Sequence, residues 1–448
     1  MKLIYISLLL LLTNISVPHA FSTTAETKIE ISRIGSASDA WKKNISTLTV
    51  EPLWNARDAY DASNTLMIPM HFAFVAGDKK GIKQFETLMS RFASQELPGG
   101  RLNQAQWIYF VSRYLALRSE FDYPLTRNNI YLAQRVSAWL HSRWMFEPAL
   151  QWGHLPLIGS KSRLRLAQSN SEVWPLSYYP AITDYELFLF SIAGDISFIN
   201  KKNPEALKEL SSEIKSSVRE LIASGISVVR SRGKFSETGG WLFQQGMWTD
   251  HPDFRFAGHS ELRTDLGEWR VKDIAEDSSH SHRWPLFFRS MIMGTEQQAN
   301  DREYLIRAYQ GFSNQLVEHV ITIRGTSVLL KNYMDGKNGL YRYRYSTVGS
   351  NSDLGYGPYG LSGTLGISWY PFAAKTDSIY ERYANSYPLP ENVLNLYVGP
   401  NTTRARNPLI EWPAFFTNGF AELIAKHGLY LSKNYNLNVE KAHNSLLH

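Results

Sequence analysis

The chain has 448 residues, 47 Lys plus Arg against 41 Asp plus Glu, and no cysteine. A net charge of +6 without any basic run argues against nucleic acid as a partner. The missing cysteines exclude a small disulfide-built module, and a chain of this size can bury a core without them.

Residues 1–20 read as a secretory signal peptide. Lys2 is a short positive region, residues 3–12 are apolar, and a cut fits after Ala20 or Ala25. The apolar run is too short to span a bilayer, and no later stretch reaches the ~18 apolar residues of a spanning helix. The mature protein is expected to be secreted or periplasmic, with no stable membrane span. Residues 27–440 contain no linker or low-complexity run and read as a single domain.

Helical periodicity dominates that domain. Apolar residues recur at three- and four-residue intervals over 54–76, 82–93, 103–117, 128–146 and 183–193. Pro204 opens an amphipathic run to about residue 229, with proline suited to a first turn. Further helices are predicted at 285–293, 301–323, 361–373, 377–384 and 413–431. Two short strands are predicted at 325–330 and 341–348, with Asp335-Gly336 and Asn338-Gly339 as turns between them. The helices come in pairs but carry no strict sequence repeat, which argues against a solenoid of identical units. The expected fold is mainly α: an (α/α) toroid of consecutive helical hairpins, with long site-bearing loops and a few short strands.

Four of the twelve histidines, His251, His259, His280 and His282, lie in one long interval between helices. Such a loop on a helical scaffold is where a ligand or a reaction is expected. In Asp277-Ser-Ser-His280-Ser-His282-Arg283-Trp284-Pro285, proline begins a helix, and the segment before it sits at a helix mouth that favours anions. In extended backbone His280 and His282 share a face. The plainer reading is a capping segment with one hydrogen-bonded histidine. Upstream, Trp248, Asp250, His251, Asp253, Arg255, His259 and Glu261 supply proton carriers and binding groups, or else a well-packed polar loop. Downstream, Tyr341-Arg342-Tyr343-Arg344-Tyr345 puts phenols on one strand face and guanidinium groups on the other. Arginine offers forked contacts to carboxylate or sulfate, and a tyrosine relays a proton if nearby cations lower its pKa. An edge strand with one packed face is the plain alternative. Tyr356 lies in a glycine-rich rim that lacks a phosphate-loop ending.

The catalytic candidates are therefore His280, His282, Arg283, Asp277, Tyr341 and Tyr343. The substrate-binding candidates are Trp248, Asp250, His251, Arg255, His259, Glu261, Trp284, Arg342, Arg344 and Tyr356. No cofactor is assigned. Zinc or calcium is the minor alternative, since no two histidines have the i, i+4 spacing of zinc proteases. The 24 Tyr and 13 Trp suit a sugar-binding cleft, and equally a large helical core.

Paired helices, a His/Arg loop, a Tyr/Arg-rich segment and abundant tryptophan together resemble the α/α-toroid polysaccharide lyases and the six-hairpin glycosidases of similar shape. Those lyases commonly set an Asn-His pair beside Tyr and Arg, and here Ser279 precedes His280. The resemblance implies His280 as the histidine, one of Tyr341, Tyr343 or Tyr345 as the tyrosine, and Arg283 or Arg342 as the arginine. It implies an exported carbohydrate-active enzyme that cleaves a polysaccharide, acidic by expectation, through β-elimination. A glycoside hydrolase would instead draw two carboxylates from Asp250, Asp253, Glu261, Asp277 and Asp335. A non-catalytic periplasmic glycan-binding protein would keep the aromatic faces and tolerate loss of any one titratable group.

Overall fold

A computed structural model describes residues 25–50, 56–93, 95–153, 155–169, 172–261, 271–296, 300–349, 352–403, 406–435 and 437. The expected signal peptide and the first two residues of the run at 54–76 lie outside the described residues. The fold is mainly helical, with two small antiparallel hairpins among the described residues. No helix is long and apolar enough to cross a membrane among the described residues.

The long amphipathic periods become helices close to their predicted limits, except that the run at 183–193 continues to Lys202. They run Ala56–Val75, Lys79–Phe92, Arg101–Glu120, Arg127–Met145, Asp184–Lys202 and Trp284–Gly294. Asp184–Lys202 is central, packing on Arg101–Glu120, Ser212–Arg232 and Trp284–Gly294. It is apolar nearly all round, as a helix enclosed by neighbours must be. Its crossing with Trp284–Gly294 is very close. A Cβ on Gly194 would meet the Ser290 carbonyl oxygen at 2.4 Å, and one on Gly294 would meet the Gly194 Cα at 2.6 Å. Only glycine permits that approach.

Four predicted helical runs differ, each for a local reason; that at 413–431 divides into Ala414–Thr417 and Phe420–Asn434 at Gly419, whose backbone is left-handed. The run from Pro204 splits into a 3-10 turn, Pro204–Leu207, and a helix, Ser212–Arg232, restarted by the Ser211 side chain accepting from the Ile214 amide at 3.4 Å. The run at 301–323 is helical over Asn300–Gln315 and widens into a π turn over Leu316–Val320. Its β-branched end then becomes a strand, Ile321–Arg324, paired with Ser327–Leu330. The run at 361–373 forms two 3-10 turns, Ser362–Gly366 and Tyr370–Phe372, because Gly363, Gly366 and Pro371 interrupt it.

The start of the central helix is fixed by an ion pair without solvent. Arg163 and Glu186 are 0% and 2% exposed and lie 2.6 Å apart. Glu186 also accepts from the Thr183 amide and hydroxyl, and Arg163 donates to the Ala181 carbonyl at 2.6 Å. Glu186→Ala strands the guanidinium and removes the capping box. It is expected to cost about 3–5 kcal/mol, read as a lower denaturant midpoint. A change under about 1 kcal/mol would show that solvent reaches the pair.

Candidate functional site

The segment from 276 to 283 is organised by Asp277. Its carboxylate caps the short helical turn Ser278–Ser281, accepting from the amides of Ser279 at 3.0 Å and His280 at 3.1 Å. The same side chain holds His280 Nδ1 at 2.8 Å and accepts from the Tyr341 hydroxyl at 2.9 Å. Burial pushes the Asp277 carboxyl up, but His280, Arg342 and Ser279 outweigh that and hold it well below the carboxylate range. With Asp277 ionised, Nδ1–H donates, and Nε2 is the nitrogen left for the cleft. Nε2 lies 3.4 Å from Arg342 Nη2. The helix cap and the contact to the His280 ring thus belong to one carboxylate.

Helical backbone separates the two histidines that an extended backbone would have aligned. The His280 side chain keeps 31% of its surface exposed. His282 is buried edge-on against Trp369, whose amide donates to His282 Nδ1 at 3.4 Å. Burial, then Arg283 and His280, push the His282 pKa well down, so it is a neutral packing residue at the cleft wall.

The 341–345 segment is not a strand. Tyr341 makes a single bridge with Tyr356, and Arg342 and Arg344 take left-handed backbone at φ +55° and +56°. The alternation of faces is therefore lost. Tyr341 and Arg342 enter the site, whereas Tyr343 packs on Phe256 and Arg344 lies over Tyr343. Burial raises the Tyr341 pKa well above its ordinary value, and the hydroxyl is committed to Asp277. That corrects the expectation of a phenol made acidic by nearby cations. Arg342 stays charged; burial opposes this, but Tyr341, Asp277, Tyr345 and Asp253 outweigh it.

A cleft runs past His280 in two lobes. The larger, about 320 Å³, includes His280, Arg283, Arg342, Arg406 and, from the Ala56–Val75 helix, Tyr60 and Asp61. The smaller, about 190 Å³, includes Trp152, Trp248, His251, Asp253, Phe254 and Tyr341. His280, Arg342 and Asp184 belong to both. Arg283 ties the walls together, since its guanidinium donates to the Tyr60 hydroxyl and to the His280 carbonyl and lies 3.5 Å from Asp184.

Of the predicted residues, the cleft brings together Asp277, His280, His282, Arg283, Tyr341, Arg342, Trp248, His251 and Tyr356. Tyr343, Arg344, Arg255, His259, Glu261, Asp250 and Trp284 do not line either lobe. Asp250 instead holds the Ser177 amide at 3.0 Å. Trp284 is buried behind the site, donating to Glu276 at 3.2 Å. Arg255 and Glu261 are exposed, and the His259 backbone pairs with Leu340.

Sequence reasoning missed Tyr60, Asp61, Asp184 and Arg406. On Ala56–Val75 the cleft residues Tyr60, Asp61, Asn64 and Thr65 follow i, i+1, i+4, i+5, a polar stripe on an otherwise apolar helix and the signal that could have found them. Asn332 was also missed as the organising residue. It is fully buried, donates to the Gly339 and Gly357 carbonyls at 2.9 and 2.8 Å, and accepts from the Leu361 amide at 3.2 Å. Its backbone carbonyl takes the Ser278 amide, so one residue joins three loops under the site.

Glu276 sits behind Asp277 and accepts from the Ser281 hydroxyl at 2.8 Å. Burial, then the neighbouring Asp277, push it up to about 7. A raised carboxyl pKa contributes stability below its unfolded value of 4.5, and that contribution is lost as pH rises through about 7. The stability gap between wild type and Glu276→Gln is therefore expected to move against the wild type between those pH values. The slope is at most about 1.4 kcal/mol per pH unit. Thermal melts at stepped pH measure it, and parallel curves would refute the assignment.

Among the described residues, no group of three or more His, Cys, Asp or Glu is placed to hold a metal ion. No protein-family model, curated protein or solved structure matches the chain.

Proposed function

We propose that the protein is an exported carbohydrate-active enzyme, an α/α toroid that cleaves an acidic polysaccharide by β-elimination. The observation that carries this reading is the imidazole of His280, braced on Nδ1 by buried Asp277 and flanked on Nε2 by Arg342, inside a cleft that also contains Arg283 and Arg406. A uronate carboxylate beside Arg342 loses the charge that opposes carbanion formation, so its C5 proton becomes more acidic. His280 Nε2 takes that proton. The C4–O bond breaks as the C4–C5 double bond forms, and a proton goes to the leaving oxygen. Tyr60, whose hydroxyl oxygen accepts from Arg283, gives its own hydroxyl proton to that oxygen; solvent then reprotonates Tyr60 and takes the C5 proton from His280. Tyr341 is unsuited to this step because its hydroxyl already donates to Asp277.

A hydrolase reading draws on one observation, the protonated character of Glu276 near neutral pH in the smaller lobe. Against it, Asp61, Asp184 and Asp253 each face an arginine at 3.3–3.5 Å. The two readings separate by product. Incubation with polyuronates is expected to yield an unsaturated sugar that absorbs in the near ultraviolet. New reducing ends without that absorbance would mean hydrolysis, and no cleavage of any acidic glycan would leave a binding protein.

A further inference from the structure

The two lobes differ in charge and in surface, and the difference falls across His280. In the larger lobe the charged side chains are Arg283, Arg342 and Arg406 against Asp61 and Asp184. In the smaller lobe Arg342 alone faces Asp184, Asp253 and Asp277, with Glu276 behind them. The Arg342 guanidinium is itself 3.5 Å from Asp253. The remaining wall is aromatic: Trp152 stands edge-on to Trp248 at 6.0 Å and to His251 at 5.8 Å, and Trp248 stacks on Phe254 at 5.1 Å. Burial pushes the His251 pKa down, ahead of opposing Asp253, so this ring adds no fixed positive charge. The Trp248 indole N–H is buried at this wall with no hydrogen-bond partner among the described residues.

Carboxylates and aromatic side chains lining one lobe suit a compact cation on a sugar ring, whose C–H face packs on the aromatic wall. A carboxylate or sulfate placed there would meet net negative charge. We infer that the smaller lobe is a subsite for an amino sugar with a free ammonium group, next to a uronate seated on the arginine side. The substrate class is then a polymer in which uronic acid adjoins an unacetylated hexosamine. The placement of the uronate rests on the elimination reading; the cation subsite itself does not.

The test uses the full chain and three matched uronate–hexosamine oligosaccharides, with the hexosamine nitrogen free, acetylated or sulfated. Binding is followed by intrinsic tryptophan fluorescence, and unsaturated product is scored by absorbance in the same samples. The free amine is expected to bind at least tenfold tighter than the sulfated form, with the acetylated form between. Trp152→Ala should narrow that gap, as should Asp253→Asn. Equal binding of the three, preference for the sulfated form, or no binding of any overturns the subsite. Preference for the free amine without unsaturated product keeps the subsite and removes the elimination reading. Equal product and equal binding from all three does the reverse. The comparison of ligands on wild-type protein stands even if a variant fails to fold.

Discussion

His280→Ala is expected to lower the rate of unsaturated-product formation by about 10²–10⁴-fold, the usual range for removing a positioned acid–base group. The fold should survive. The side chain is partly exposed, and its backbone amide remains capped by Asp277. Asp277 would still accept from Tyr341 and from Ser279, so no buried donor is orphaned at that carboxylate. The loss should fall on kcat more than on KM, because Arg342 and Arg283 remain to hold an acidic sugar. Thermal melts within about 1 kcal/mol of wild type, together with the rate, make the measurement decisive. A variant that keeps its full rate would remove the imidazole from the chemistry and with it the elimination reading.

Replacing Asp277 is expected to do more, because it joins structure to chemistry. Asp277→Ala loses a helix cap and leaves the buried Tyr341 hydroxyl and His280 Nδ1 without their acceptor. A cap is worth about 1 kcal/mol, and each orphaned buried donor about 1–3 kcal/mol. A total loss of roughly 3–7 kcal/mol follows. Asp277→Asn separates the two roles. Its amide oxygen can still cap the turn, but the charge that orients and supports the imidazole is gone. Stability should recover in part while the rate stays about 10²–10⁴-fold down. The folded pKa lies below the ordinary value of 3.8, so the carboxylate's stabilisation is complete above that pH and fades as pH falls beneath it. Denaturant titrations of wild type and Asp277→Asn should therefore converge as pH falls below 3.8. A gap that grows in acid would reverse the assigned sign.

The long helices were legible because burying one face forces a period of three to four residues, and nothing in their interiors contradicts it. Runs 79–92 and 101–120 illustrate this, each lying within three residues of its predicted limits. The runs that misled carry the reason in their composition: Gly363, Gly366 and Pro371 break a helix that apolar spacing alone would allow. The site was half legible. Asp277, His280, Arg283 and Arg342 stand out as chemical groups crowded into polar loops. Their geometry was hidden, because a two-residue spacing aligns side chains in extended backbone and separates them in a helical turn. The same applies to Tyr343 and Arg344, whose faces depend on the left-handed backbone at Arg342 and Arg344. Tyr60, Asp184 and Arg406 come from distant segments, and only tertiary packing brings them to His280.

The contact of Gly194 with Gly294 has a mechanical consequence. Backbones this close leave no room for a side chain between Gly194 and Gly294, so the helix carrying Asp184 and the helix following Arg283 are pinned as one jaw at that crossing. Any accommodation to a thicker or thinner ligand is then expected from the loops gathered on Asn332. Exchanging either glycine for alanine would prise the two helices apart at that crossing.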